Sequence, residues 1–295
     1  MNELIKQGRA LLELGKLEEA EAILREAQSR WPDHPGVLIG FARTAEAQGR
    51  WTEALQRWRH VQEVAPDNPW AWIGQGNALL ELGELDQAEA VFHGARSRWP
   101  DQLAVLTGYA RAAMLQQRWA ESLDRWRCVL CMRQELPQAW IGQGRALLEL
   151  GELEEAEAIL REAQSRWPDH PGVLMGFART AEVQGRWSEA LQRWRHVQEV
   201  APDNPWAWVG QGNALLELGE FDQAEAVFQG ARARWPDQPG VLTGYARAAM
   251  LQQRWAEALD RWRCVLCVRQ ESPQAWIGQG RALLELGELE EAEAI

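Results

Sequence analysis

The sequence has little of what several kinds of protein require. Its 295 residues include four cysteines, two tyrosines and five histidines, and so few cysteines cannot form a disulfide-based scaffold. Lysine and arginine number 31 against 43 aspartates and glutamates, which gives a formal net charge of −12. Because binding to phosphates needs a basic surplus, this balance argues against a general nucleic-acid binder, although a local basic groove stays open.

Long apolar runs are also absent. The opening residues, Met1 to Lys6, contain no apolar core of signal-peptide type and lead directly into an amphipathic pattern. No stretch has the length and hydrophobicity of a membrane span. We therefore expect no membrane contact and, by default, a cytoplasmic location.

What the sequence does have is tryptophan and repetition. There are 18 tryptophans against five phenylalanines, a skew that indicates a few aromatic positions copied many times. The run Trp72 to Gly76 recurs at Trp140 to Gly144, and prolines recur at 34 residues or its multiples. This period predicts a single array over residues 1–295, with repeats that begin at Met1, Pro35, Pro69, Leu103, Pro137, Pro171, Pro205, Pro239 and Pro273.

The array also contains a longer period of 136 residues. Residues 7–159 laid over residues 143–295 differ at 13 of 153 positions. Either a recent duplication of a four-repeat block or deliberate copying explains this identity. Odd and even repeats differ consistently, so a pair of repeats is the copied unit.

The third repeat shows the pattern of two short helices. Its first apolar stripe consists of Trp72, Gln75, Gly76, Leu79 and Leu80. After Gly83, a second stripe consists of Leu85, Ala88, Val91, Phe92 and Ala95. Both stripes have the spacing of one helix face, and Pro100 cannot continue the second helix. The repeat therefore predicts an antiparallel helix hairpin joined by a glycine turn.

This 34-residue unit resembles the tetratricopeptide repeat. That family's pattern has a large aromatic residue at position 4, small or bulky residues at fixed later positions, and proline at position 32. In the third repeat the pattern is met by Trp72, Gly76, Leu79, Gly83, Ala88, Phe92, Ala95 and Pro100. The resemblance covers the whole chain and implies an all-α fold, a right-handed superhelical solenoid of antiparallel helix pairs.

Some repeats depart from this pattern. The fourth and eighth repeats have Gln117 and Gln253 at the turn glycine, and Gln134 and Gln270 at the proline. We expect longer helices or slightly altered angles at these junctions.

Tryptophans outside the family pattern also recur. They occupy position 17 of even repeats and position 31 of odd repeats, at Trp51, Trp119, Trp187, Trp255, Trp31, Trp99, Trp167 and Trp235. Because aromatic residues at helical spacing usually fill cores, we interpret them as packing residues.

Candidate chemistry is sparse. The five histidines occupy repeat positions that do not converge on a common point, so they predict no metal site. Cys128 with Cys131, and Cys264 with Cys267, form two Cys-x-x-Cys pairs that lack a nearby histidine to act as a base. We interpret them as structural thiols, with a soft-metal half-site completed by a second chain as the alternative. The prediction is no catalytic site, no enzyme activity and no cofactor.

The resemblance places partner binding on the first helix of each repeat, which lines a concave groove through positions 2, 5, 9, 12 and 13. Position 9 supplies Arg9, Arg43, Asn77, Arg111, Arg145, Arg179, Asn213, Arg247 and Arg281, and position 2 supplies Trp70 and Trp206. Arginine's planar fork suits the carboxylates of a peptide. Position 13 supplies Glu13, Glu81, Glu149, Glu217 and Glu285, which would neutralise the arginines within the groove. Alternatively, the arginine row is only a solvated helix face paired to neighbouring acids.

Three functions follow from this sequence. The first is a scaffold that binds a protein or peptide of unknown identity, because solenoids present long concave surfaces. The second is the substrate-recruiting arm of a larger enzyme, an expectation motivated by Ile295 standing in mid-helix of the ninth repeat. The third is head-to-tail self-association of a copied or designed array, since such contacts do not close.

Overall fold

The computed structural model describes residues 2–293, and within that range the chain forms eighteen α-helices and no strand. The predicted all-α fold of repeated helix pairs is confirmed. Met1 and Ile295, where the array was expected to begin and to stop in mid-helix, lie outside the described residues. The chain divides into two compact units, the first within residues 1–150 and the second within residues 151–295, and each is described by itself. That both form one solenoid stays a prediction.

The first unit contains nine helices among the described residues. They are α1 (Asn2–Glu13), α2 (Leu17–Arg30), α3 (Pro35–Ala47), α4 (Trp51–Val64), α5 (Pro69–Glu81), α6 (Leu85–Arg98), α7 (Leu103–Leu115), α8 (Trp119–Met132) and α9 (Pro137–Leu150). Each packs against the next in sequence, and the odd-numbered helices also pack against one another in order.

The second unit has nine more within its described part. They are α10 (Leu153–Arg166), α11 (Pro171–Val183), α12 (Trp187–Val200), α13 (Pro205–Glu217), α14 (Phe221–Arg234), α15 (Pro239–Leu251), α16 (Trp255–Val268), α17 (Pro273–Leu286) and α18 (Leu289–Glu293). Here too α13 packs against α15, and α15 packs against α17.

Turn geometry explains how the helices end. Gly83 has a φ of +78°, the left-handed conformation that glycine adopts without steric cost. Gln117 and Gln253 adopt the same conformation, with φ values of 58° and 57°. Because the turn is kept, α7 and α15 have 13 residues, as α5 does. At these turns the expectation of longer helices is wrong. At the Gln134 and Gln270 junctions, α8 and α16 have 14 residues, as α4 does, and the helices that follow, α9 and α17, have 14, one more than α5.

Aromatic rings and glycines lock neighbouring repeats together. Trp58 is 2% exposed, and a methyl carbon added at Gly74, on the next helix, would lie 2.1 Å from its Cε2 atom. Phe92 is fully buried and similarly fills the space beside Gly76 and Gly108. Such distances leave no room for any side chain, so glycine is required where the helices approach most closely.

The remaining tryptophans contribute to the same packing. Trp51 packs against the core cluster that contains Trp58. Trp99 lies 6.2 Å from Trp72, ring centroid to ring centroid, in an edge-to-face arrangement. The interpretation of these two residues as packing residues is confirmed.

The helices are also short. Within residues 2–293, none has the length and apolar character that crossing a bilayer requires.

Candidate functional site

The first helices are set up by N-caps that also orient a tryptophan. Asn204 Oδ1 accepts a hydrogen bond from the backbone N–H of Trp206 at 3.0 Å, and Pro205 is the first helical residue. This combination begins a helix efficiently, because the cap satisfies a free N–H and proline needs none. Asn68 caps α5 in the same way and orients Trp70. Trp206 is left 52% exposed.

A cavity of about 380 Å³ lies among the first helices of the second unit. Three predicted site residues, Trp206, Asn213 and Arg247, line it together. The other lining residues are Val209, Gln238, Pro239, Gly240, Thr243, Gly244, Val265, Arg269, Ser272 and Gln274. The wall therefore combines an exposed indole, two guanidinium groups and several neutral polar groups, as binding sites commonly do.

The two copies of the 136-residue block differ unusually often at this cavity. Four of the 13 differing positions are lining residues, namely Val209, Pro239, Gly240 and Ser272. The first unit has larger or more apolar residues at the corresponding positions: Ile73, Leu103, Ala104 and Leu136. A methyl carbon at Gly240 would lie 3.4 Å from Trp206 Cζ3. Glycine at position 240 therefore leaves room beside the indole.

In the first unit, three of the position-9 arginines contact neighbouring side chains. Arg111 Nη2 lies 3.2 Å from Glu81 Oε1. Arg43 stacks on Trp70, with 5.3 Å from its Cζ atom to the ring centroid. Arg145 lies 5.9 Å from the ring of Trp119. Arg9 is exposed and Asn77 is half-buried.

In the second unit, Arg247 is held by two partners. Its Nη2 atom lies 3.0 Å from Glu217 Oε1, and its Nη1 atom donates to Asn213 Oδ1 at 3.3 Å. Arg281 lies 6.0 Å from the ring of Trp255, and Arg179 is exposed. Pairing between a position-9 arginine and a position-13 glutamate thus occurs in both units, which both the groove hypothesis and the solvated-face alternative allow.

The sequence reasoning missed Arg269, which lies at position 31 and lines the cavity. Glu217 and Asn213 engage Arg247, whereas Arg269 has no acidic partner among residues 2–293. The sequence did contain a signal for this residue. Repeat position 31 is tryptophan in the odd repeats, whereas the fourth and eighth repeats have Arg133 and Arg269 there.

A second feature missed from sequence is a buried ionic network between helices. Glu157 on α10 accepts a hydrogen bond from Arg193 on α12 at 2.8 Å, and both side chains are 9% exposed. Arg186 also bonds Glu157. Arg193 stacks on Phe177 at 3.6 Å and donates to its carbonyl oxygen at 2.7 Å. The partners lie 29 and 36 residues apart, beyond the reach of local patterns.

The network controls the charge of Glu157. Burial by itself would raise the pKa of this carboxyl. The hydrogen bond from Arg193, together with the charges of Arg193, Arg186 and Arg161, outweighs burial and holds the pKa below its usual value. Glu157 therefore stays ionised and joins α10 to α12. In the first unit Glu89 is paired in the same way with Arg118 and Arg125.

Glu182 has the opposite environment. Its Oε1 atom accepts a hydrogen bond from Trp194 Nε1 at 2.8 Å. Burial raises the pKa of Glu182 to about 7, because the hydrogen bond and the charge of Arg179 offset burial only in part. Glu46 forms the equivalent bond with Trp58, and burial raises its pKa as well. Each is a packing contact between the two helices of one repeat.

Four of the five histidines have local contacts. His34 and His170 cap helices, and His60 and His196 lie beside acids one turn away. Within residues 2–293, no group of three or more histidine, cysteine, aspartate and glutamate residues could hold a metal ion.

The positions of the cysteines differ from the expectation. All four, Cys128, Cys131, Cys264 and Cys267, are exposed. This exposure does not fit the interpretation as structural thiols that pack like small hydrophobic residues, because their positions lie on the faces of α8 and α16 that point away from the core.

Comparisons with known proteins give a consistent result. Family models described as tetratricopeptide repeat match residues 11–72, 45–95, 73–126, 137–180, 175–239, 210–263 and 244–295. Protein CTR9 homolog from Arabidopsis thaliana is 32% identical over 36% of this chain and 10% of its own length. Cellulose synthase operon protein C from Xanthomonas axonopodis pv. citri is 23% identical over 99% of this chain and 23% of its own.

A solved structure shows the same fold. The crystal structure of the APC/C hetero-tetramer Cut9-Hcn1 superposes with a TM-score of 0.71 at 14% identity, and covers 95% of this chain and 55% of that one. Against the curated relatives named above, the chain spans only a tenth to about a quarter of their length. Since the family models together cover most of the sequence, the chain belongs to the tetratricopeptide repeat family.

Proposed function

We propose that this chain is a protein-interaction scaffold that holds an extended peptide against the first helices of its repeats. The observation that carries the proposal is the cavity among α13, α15 and α17, where Trp206, Asn213 and Arg247 meet. Repeat arrays commonly bind partners on an extended surface of this kind. The Cut9-Hcn1 hetero-tetramer, whose fold is similar, is itself a protein–protein assembly, which supports the proposal.

The chemistry of the cavity favours a peptide that carries both a carboxylate and an apolar side chain. Arg269 is exposed and lacks an acidic partner among the described residues, so it can pair with an incoming carboxylate. The exposed indole of Trp206 offers a flat apolar surface for a neighbouring side chain. Thr243 and Gln274 can bond the backbone of an extended chain.

The predicted arginine row has a smaller role in this proposal. Arg247 and Arg111 are already paired with glutamates, so each would have to exchange a partner to bind a ligand. Arg9, Arg43, Arg145, Arg179, Arg281 and Asn77 stay a prediction as contacts along the groove.

Peptide selection from a random display library against the full chain tests the proposal. We expect selected peptides to combine acidic and apolar residues. Binding should weaken about thirtyfold in Trp206→Ala and in Arg269→Glu, since losing an interface tryptophan or arginine costs on the order of 2 kcal/mol. The matched controls are Trp70→Ala and Arg133→Glu, at the corresponding positions of the first unit. Equal losses in both pairs, or no selected peptide, would refute the proposed site.

A second set of variants tests the shape of the cavity without changing charge. Gly240→Ala and Ser272→Leu restore the residues that the first unit has at these positions. The methyl carbon added at Gly240 lies 3.4 Å from Trp206 Cζ3, so peptide binding should fall in that variant while helical circular dichroism stays unchanged. Ser272→Leu also removes the hydroxyl that accepts a hydrogen bond from the Ala275 N–H, so urea unfolding is measured beside it. Unchanged affinity in the double variant would place the peptide elsewhere.

A further inference from the structure

The exposed cysteines do not belong to the packing or to the cavity, and their arrangement suggests a separate site. Cys128 and Cys131 lie one turn apart on α8, and Met132 is the next residue. Residues at i, i+3 and i+4 share one face of a helix. Cys128 and Cys131 are exposed, and so is Met132, at 46%. The three sulfur-containing residues therefore share one exposed face of α8.

Equivalent positions in other repeats show that side chains placed here do meet. Cys128 and Cys131 stand at repeat positions 26 and 29, which are His60 and Glu63 in the second repeat and His196 and Glu199 in the sixth. His60 Nδ1 lies 3.3 Å from Glu63 Oε2, and the second pair is 3.5 Å apart. The backbone of these helices therefore lets the two positions converge.

Two thiols at this spacing can hold one metal ion. The Cβ atoms of residues i and i+3 on a helix are about 5–6 Å apart. Metal–sulfur bonds are about 2.3 Å long in zinc thiolates, so two sulfurs that lean inward can share one ion. Zinc would need four ligands, and residues 2–293 offer no cluster of three or more of its usual ligand residues. Thiolate and thioether ligands together instead favour monovalent copper.

We propose that Cys128, Cys131 and Met132 bind one Cu(I) ion on the exposed face of α8. Both thiols lose their protons on binding, so one Cu⁺ and two neutral thiols give a complex of charge −1 and two released protons. The thioether of Met132 adds a third, neutral ligand. Affinity therefore falls as the pH falls, because protons compete with the metal.

The other copy of the block provides an internal comparison. In α16, Cys264 and Cys267 are exposed as well, but Val268 replaces the methionine. That site has two sulfur ligands where α8 has three. It binds a second Cu(I) ion more weakly.

Anaerobic titration of the reduced full chain with Cu(I), in competition with a coloured Cu(I) chelator, tests the proposal. We expect two ions per chain, and one in the double variant Cys128→Ser/Cys131→Ser. Met132→Val should lower affinity at the α8 site about tenfold, on the scale by which single site changes alter metal affinity. Val268→Met should strengthen the α16 site. Circular dichroism checks that each variant keeps its helices.

Several outcomes would overturn the proposal. They are an unchanged copper stoichiometry in the double serine variant, a single ion that requires all four cysteines, and an ion that appears only in a dimer. X-ray absorption spectroscopy of the bound copper, which reports the atoms that surround the ion, gives a second measurement. Three sulfurs around copper in the Cys264→Ser/Cys267→Ser variant would support the α8 site, and a shell of nitrogen and oxygen would contradict it.

Discussion

Single glycines fix the distance between neighbouring helices. At position 6 of the third, fifth, seventh and ninth repeats, glycine faces the ring of a tryptophan from the preceding repeat, as Gly278 faces Trp262. A methyl carbon at Gly278 would lie 2.3 Å from Trp262 Cε2, whereas one at Gly230, within α14, would come no closer than 3.1 Å to a neighbouring side chain, at Trp208 Cζ3. These two helical glycines thus differ in how much room their neighbours leave.

We expect Gly278→Ala to destabilise the protein and Gly230→Ala to cost much less. The first substitution forces the ring or the helix to move, and overpacking of this kind costs about 1–3 kcal/mol. The second raises the helix propensity, which offsets up to about 1 kcal/mol of its cost. Urea unfolding followed by circular dichroism measures both. Equal effects on the free energy of unfolding would contradict the packing described here.

Glu182 makes stability depend on pH near neutrality. Its pKa of about 7 exceeds the ordinary value of 4.5, so between these values the folded chain holds a proton that the unfolded chain has lost. The stability that this group contributes is complete below about pH 4.5 and is lost as the pH rises through about 7.

The expected result is a lower thermal midpoint at about pH 8 than at about pH 5, with a smaller difference in Glu182→Gln. That variant keeps a hydrogen-bond acceptor for Trp194 and cannot ionise. Glu157 does not interfere, because its lowered pKa acts only in acid. Identical pH profiles for the two proteins would show that Glu182 titrates normally.

Helices and turns were largely predictable, because they depend on local spacing. The two stripes of the third repeat place Trp72 and Phe92 on α5 and α6 as expected. The Arg193–Glu157 contact was not predictable, since it joins residues 36 positions apart on non-adjacent helices. Similarly, the sequence lists Gly240 and Ser272 among the differences between copies, but only the fold brings them into one cavity.

At the turns, glutamine occupies a conformation that glycine adopts more easily. Gln117 has a φ of 58°, between α7 and α8. We expect Gln117→Gly to stabilise the first unit by about 1 kcal/mol, the usual cost of a strained left-handed residue. Thermal unfolding measures this, and Gly83→Gln is the reverse control, which should lose a similar amount. A destabilised Gln117→Gly variant would show that the glutamine side chain makes a necessary contact.

At the scale of the whole chain, stability should accumulate with the number of repeats, because each pair of helices buries its apolar face mainly against its neighbours. Truncation after Gln238 removes the eighth and ninth repeats. The shorter chain should keep its helical circular dichroism and unfold at a lower urea midpoint, with a smaller dependence on urea since less surface is exposed. Complete loss of helical signal would indicate one indivisible core instead.

The ring-and-glycine contact has a further consequence for folding. Trp58 against Gly74, Trp126 against Gly142, Trp194 against Gly210 and Trp262 against Gly278 are versions of one interface, and the sequences around them are almost the same. A newly synthesised segment therefore meets several equivalent docking places, some of them on other molecules. Helices docked in the wrong register, and exchange of repeats between molecules, therefore compete with correct assembly during refolding. The near-identity of the repeats thus makes folding more error-prone.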